Sequence, residues 1–137
     1  MALQNKPEVI YKELEGPEPQ EVKDALNSLG LLHRPRSVVY AELTSLRLHL
    51  HKKTFELFVV SEGTGTLKQY FLDEQSKDFY RTGPFLRDKE FPLKQGVLVF
   101  IEPLTPHNIR DVAGVLKTYI VQMPTHDPKD EFYVQYF

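Results

Sequence analysis

Short apolar-rich runs of strand length fill the middle of the chain, and Leu46 to His51 alternates apolar and polar with a period of two. Val38 to His51, Phe55 to Ser61, Thr66 to Leu72, Gly96 to Ile101 and Val115 to Met123 read as strands, separated by turns rich in Gly, Pro and Asp. Only one stretch changes to a helical period. Over Glu18 to Leu29, the residues Val22, Ala25, Leu26 and Leu29 fall on one face. Pro19 suits the first turn and Gly30 the stop, so the segment predicts a single helix that covers a sheet. Many short strands with little helix argue for an all-β jelly roll or sandwich rather than a parallel α/β sheet.

Three zones follow within one domain. Residues 1–36 are an N-terminal extension holding the helix and, at Val9-Ile10-Tyr11, a short strand for a sheet edge. Residues 37–125 are the β body. Residues 126–137 are a tail whose Phe132, Tyr133, Val134, Tyr136 and Phe137 are too apolar for solvent, so it should dock on its own body or on a second subunit. Asp73 to Pro92 is polar, contains Gly83-Pro84, and reads as a hairpin or long loop near one mouth of the body.

The chemistry concentrates at His49-Leu50-His51, followed by Glu56 and Gly63. Two histidines two apart on a strand leave the same face, with Cα atoms roughly 6–7 Å apart. If Lys52 to Phe55 makes a tight reversal, an antiparallel partner places Glu56 opposite His51, within about 4.5–5.5 Å. Two imidazoles and a carboxylate form a ligand set that leaves coordination positions open. His107 follows the strand Gly96 to Ile101 and the loop Glu102 to Pro106, and it is available as a fourth ligand.

These residues resemble the two motifs of the cupin family. The first motif is met by His49, His51, Glu56 and the closing Gly63; the second by the spacing from Gly96 to His107. Leu43 stands where the first motif opens on glycine, Glu102-Pro103-Leu104 stands where the second has Pro-x-Gly, and Asp111 stands where it ends in Asn. The resemblance implies a cupin-type jelly-roll β-barrel over roughly 37–125. It also implies one divalent transition metal (Fe, Mn, Ni, Zn, Co or Cu) held by His49, His51, Glu56 and His107, and pairing into dimers. The alternative is a barrel whose histidines are hydrogen-bonded core groups without metal.

On the strand of the two histidines, simple alternation puts Arg47, Ser45, Leu43 and Ala41 on the inner face. Arg47 is therefore a candidate anchor for a substrate carboxylate or phosphate, or else one half of a structural ion pair with Asp111 or Glu102. Leu46, Leu48 and Leu50 take the outer face and need cover, which the helix or a homodimer partner would supply; a homodimer is the expectation. Phe58, Val60, Phe100 and Ile109 are candidates to line a pocket, and Tyr70, Tyr80 and Tyr119 are possible phenol donors. His33 and His126 read as exposed loop residues.

Composition narrows the function. The chain has 137 residues, with 41% hydrophobic and 26% charged, which is ordinary for one globular domain. A net charge of −2 argues against a nucleic-acid or membrane partner. Without cysteine, disulfides, thiolate ligands and cysteine nucleophiles are excluded. No signal-peptide pattern or membrane-length apolar run is present, so cytoplasm is the expected compartment. The partner expected is a small organic molecule. Its chemistry is oxygenation or isomerisation at the metal, or else capture without turnover; the catalytic residue is unassigned. His49 to Lys53 and the tail with Tyr136 also resemble sugar-nucleotide ketoisomerases of the cupin class, a further option.

Overall fold

The computed structural model describes residues 9–14, 16–72, 74–76, 79–82 and 88–136. Thirteen strands and one helix appear among them: β1 (Val9–Glu13), α1 (Gln20–Ser28), β2 (Ser37–Leu43), β3 (Leu46–Leu50), β4 (Phe55–Glu62), β5 (Gly65–Tyr70), β6 (Glu74–Ser76), β7 (Phe79–Thr82), β8 (Asp88–Leu93), β9 (Leu98–Ile101), β10 (His107–Arg110), β11 (Leu116–Met123), β12 (Phe132–Tyr133) and β13 (Gln135–Tyr136). One sheet runs β1-β2-β11-β4-β9 and a second runs β12-β3-β10-β5-β8. A small third sheet is β13-β7-β6. The class is all-β, as the short strand-length runs predict, but the body is two facing sheets rather than one closed barrel.

The core lies between the two large sheets. Val39, Ala41, Leu43, Phe58, Val60, Val99, Ile101, Leu116 and Ile120 come from the first, and Leu46, Leu67, Leu93 and Ile109 from the second. On β11 the alternation is strict. Leu116, Thr118 and Ile120 point inward, while Val121 and Met123 point outward to meet Val22, Ala25 and Leu26 of α1, beside Leu57 and Val59 of β4. The helix thus covers the outer face of the first sheet, and it starts at Gln20 because Pro19 sits at its N-cap.

The segment Val38–His51 is two strands, not one. The chain leaves the first sheet after Leu43 and enters the second at Leu46. The leucine stripe expected on the outer face is also corrected. Opposite β10, His49 pairs with His107 and Leu46 with Ile109, so three steps of β3 span two of β10. This bulge reverses the parity of the strand. Leu46 joins the core and Arg47 turns outward, exposed, with its guanidinium 4.0 Å from the Tyr133 ring centroid. Leu48 and Leu50 are covered by the same chain. Leu50 packs with Tyr80 of β7 and Val134 of the tail, and Leu48, Leu72 and Phe132 flank them. The tail docks on its own body, with β12 on β3 and β13 parallel to β7. The leucines therefore give no reason to invoke a second subunit at that face. Gly83, Pro84 and Phe137 lie outside the described residues. Among the described residues, no helix is long and apolar enough to cross a membrane.

Gly63, the closing residue of the first motif, has φ +98°, and a Cβ there would lie 2.6 Å from the carbonyl oxygen of Val115. Only glycine lets the β4–β5 turn pass this close to the start of β11.

Candidate metal centre

His49 and His51 come from β3 and its end, His107 from the start of β10, and Glu56 from β4 in the opposite sheet. Their ligand atoms all lie within 4.8 Å of one another, and all four side chains are buried. The expected hairpin does not form: the link from His51 to Phe55 crosses between sheets, and Glu56 reaches the histidines across the sandwich. Its Oε1 is 2.8 Å from His51 Nε2 and 3.1 Å from His107 Nε2.

Each imidazole is oriented by its other nitrogen. His49 Nδ1 donates to the carbonyl of Arg47 at 2.6 Å, His107 Nδ1 to that of Thr105 at 2.9 Å, and His51 Nδ1 to that of Asp130. A carbonyl only accepts, so each Nδ1 carries a proton, and in the neutral ring Nε2 presents a lone pair. With the rings neutral, His51 Nε2, His107 Nε2 and Glu56 Oε1 are buried acceptors facing one another without a donor between them. Such a cluster requires a positive charge at its centre. A divalent metal fits this donor set, with the second nitrogen of each histidine tied to a carbonyl in the manner of metal-ligating imidazoles.

The proton balance agrees. Burial, reinforced by neighbouring His107, lowers His49 from 6.5 to about 3, so it stays neutral. Burial also works against a charge on His51, but the hydrogen bond and charge of Glu56 outweigh it and raise its pKa. For Glu56 burial favours the protonated acid, yet the imidazoles of His107 and His51 packed against its carboxylate hold it below the usual carboxylate range. In the metal-free chain, the raised pKa of His51 favours a proton at its contact with Glu56 as the alternative source of that charge.

Two further residues complete the site. Gln122, on the inner face of β11, donates from Nε2 to Glu56 Oε2 at 3.2 Å and accepts at Oε1 from His126 Nδ1. Asp130 receives the amides of Lys52, Lys53 and Thr54 at 2.8–2.9 Å, and the Thr54 hydroxyl at 2.8 Å. Gln122 was detectable as the one amide in the inward series Leu116, Thr118, Ile120, Gln122. Asp130 gives no local signal, because its partners lie 76–79 residues away.

A cavity of about 210 Å³ opens onto the cluster. Val39, Leu46, Phe58 and Ile120 form apolar walls, while Gln122, His126, Asp127 and Glu131 stand among its polar lining. Phe58 thus lies where the sequence suggests, its ring 6.3 Å from that of His107. Arg47 does not line this cavity. Val60 and Ile109 are core residues, and Phe100 lies outside, stacked on Phe55. Tyr80 is buried behind β3, and His33 is exposed. His126 is exposed at the rim as expected, but engaged with Gln122.

Two open five-stranded sheets around a His/His/Glu/His cluster define a cupin-like jelly roll. Solved structures bear out the fold. Streptomyces Pac13 with uridine superposes with a TM-score of 0.58 at 13% identity, covering 96% of this chain and 82% of that one. CapF, a capsular polysaccharide assembling protein from Staphylococcus aureus, gives 0.58 at 16% identity, covering 74% of this chain; the match spans only 27% of CapF. A predicted oxalate decarboxylase from Thermotoga maritima gives 0.51 at 19% identity, covering 83% and 78%. These are cupin-fold proteins, and at such identities the likeness concerns the fold. No family profile and no curated protein matches the chain in sequence.

Proposed function

We propose that this chain is a member of the cupin superfamily that holds one divalent transition metal at His49, His51, Glu56 and His107 and acts on a small organic molecule in the adjoining cavity. The observation that carries this reading is the convergence of three buried atoms, His51 Nε2, His107 Nε2 and Glu56 Oε1, which with neutral imidazoles are all acceptors. A bound divalent metal supplies Lewis acidity toward an oxygen of that molecule.

The chain's own residues supply orientation and a base. The Glu56 carboxylate can only accept, so Gln122 turns its NH₂ toward Glu56 and its oxygen toward His126. His126 then carries a proton on Nδ1, and in the neutral ring Nε2 is left with a lone pair on a residue that lines the cavity. That is the form able to take a proton from a C–H or O–H next to a polarised carbonyl. Val39, Phe58 and Ile120 limit water around the bound molecule. This combination favours isomerisation or elimination over simple capture. Pac13, of the same fold, is a nucleoside dehydratase.

A second reading is a metal-free barrel, favoured by the direct 2.8 Å contact of His51 with Glu56, which a proton alone can hold. Calorimetric titration of the metal-stripped protein with cobalt(II) separates the two. We expect one equivalent bound by the parent and a strong loss of affinity in Glu56→Gln. Absence of binding in the parent would leave the metal-free reading.

A further inference from the structure

We infer that the cavity admits neutral or cationic small molecules and turns away carboxylates and phosphates, and that Glu131 is the main residue setting this choice. The inference deepens the metal reading and rests on it for the charge at the cavity floor.

The first observation is the sign of the lining. Glu56, Asp127 and Glu131 line the cavity, and among the described residues no lysine or arginine does. Three carboxylates facing one dication leave a net negative charge, and low-dielectric walls focus that field within the cavity. Glu131 is the rim acid in contact with the cluster. Its Oε1 is 4.0 Å from Nε2 of His49, the nitrogen that would ligate the metal. Any group bound to the metal on that side meets the Glu131 carboxylate. A second anion there is opposed by charge, whereas a hydroxyl, amide or ammonium group can donate a hydrogen bond to it.

The second observation is where the cations went. The β3 bulge aims Arg47, the one cation expected inside, at Tyr133 on the outer surface. The Lys52 ammonium lies 4.4 Å from the Phe132 ring centroid, and Lys68 pairs with Asp88 at 3.1 Å. An anionic substrate therefore has no bidentate or ammonium anchor at this cavity. Glu131 makes its side-chain contact with His49. Its side chain is 43% exposed, and its neighbour Asp130 holds the turn after His51. Glu131 is thus a specificity-determining residue that can be changed without disturbing the core.

The test uses the cobalt(II)-loaded full chain and follows its visible absorption during titration with imidazole at pH 8, acetate and inorganic phosphate. We expect imidazole to perturb the spectrum, with acetate and phosphate binding weakly or not at all. Glu131→Gln should tighten acetate and phosphate by about tenfold and leave imidazole within a factor of two. Equal anion affinity in parent and variant, or tighter binding of phosphate than of imidazole by the parent, would overturn the inference. Failure of the metal reading shows separately, as no cobalt spectrum. The charge rule is then read in the metal-free protein from amide shifts of Gln122 and Glu131. Shifts with imidazolium but not with acetate or phosphate would support it, and shifts with the anions would overturn it.

Discussion

The main-chain oxygen of Asp130 accepts the Nδ1 proton of His51, while the Asp130 carboxylate gathers the three backbone amides that follow that histidine. One tail residue thus fixes both the ring of a metal-site histidine and the turn that carries the chain across to Glu56. The next tail residues continue the contact, with Tyr133 pairing with His49 in the β12–β3 ladder. Tail and site are therefore one structural unit.

Asp130→Asn should cost about 2–3 kcal/mol of stability, since charge-assisted hydrogen bonds to buried amides are among the stronger ones. Burial raises the Asp130 carboxyl, but the amides of Lys53 and Lys52 and the donors of Thr54 outweigh this and hold it below its usual range. A depressed carboxyl stabilises the fold above its unfolded pKa, and that contribution fades as pH falls through the folded value. Parent and Asp130→Asn denaturation midpoints should accordingly differ at pH 7 and converge on strong acidification. A constant difference down to the lowest pH would show that the carboxylate charge plays no part.

Metal binding should release protons. His51, raised by Glu56, holds a proton to higher pH in the metal-free chain, and the metal must displace it where it is bound; His49, lowered to about 3, has none to lose near neutrality. Affinity should fall as pH falls, approaching about tenfold per unit below the His51 pKa, one proton being exchanged. Stability of the metal-free chain moves the other way for this group. A raised histidine contributes fully below 6.5 and loses that contribution as pH rises through its folded value. His49 acts in the opposite sense, its buried neutral ring costing stability as pH drops from 6.5 toward 3. Calorimetry in two buffers of different ionisation enthalpy counts the released protons near pH 6.5. Zero release would place the central proton elsewhere.

Leu104 has φ +64° and is 41% exposed, in the loop before His107, where the cupin motif carries glycine. The left-handed backbone is costly for leucine and free for glycine, whose extra unfolded-state entropy offsets part of the gain. Leu104→Gly should therefore raise stability by about 0.5–1 kcal/mol. A loss of similar size in chemical denaturation would mean that the leucine side chain contributes packing. Asp111, at φ +57°, needs no such relief, because aspartate tolerates this conformation better than most residues.

The sequence made three of the four candidate ligands visible because their spacing is local, and His107 came from its spacing to Gly96. His49 and His51 share a face by alternation, and Glu56 follows within a few residues. Strand positions were visible from local composition, since Phe55 to Ser61 and Val115 to Met123 are short apolar-rich runs bounded by turn residues. What alternation could not show is the bulge in β3, which sends Leu46 inward and Arg47 outward, because its cause is the pairing with β10. Nor could it show that the link after His51 changes sheet, since that path is fixed by Asp130, far along the chain. The residues missed are those whose partners are distant: Asp130, Gln122 and Glu131. The local pattern gave the metal-site candidates; long-range contacts supplied their support and the rim.

The central claim is that four buried side chains hold one metal ion. Plasma mass spectrometry of the untagged protein tests it directly, beside a His49→Ala/His51→Ala control. The account predicts close to one equivalent of a divalent transition metal in the parent and little in the control. No metal in the parent, even after reconstitution with iron, manganese, nickel, cobalt, copper and zinc in turn, would contradict it.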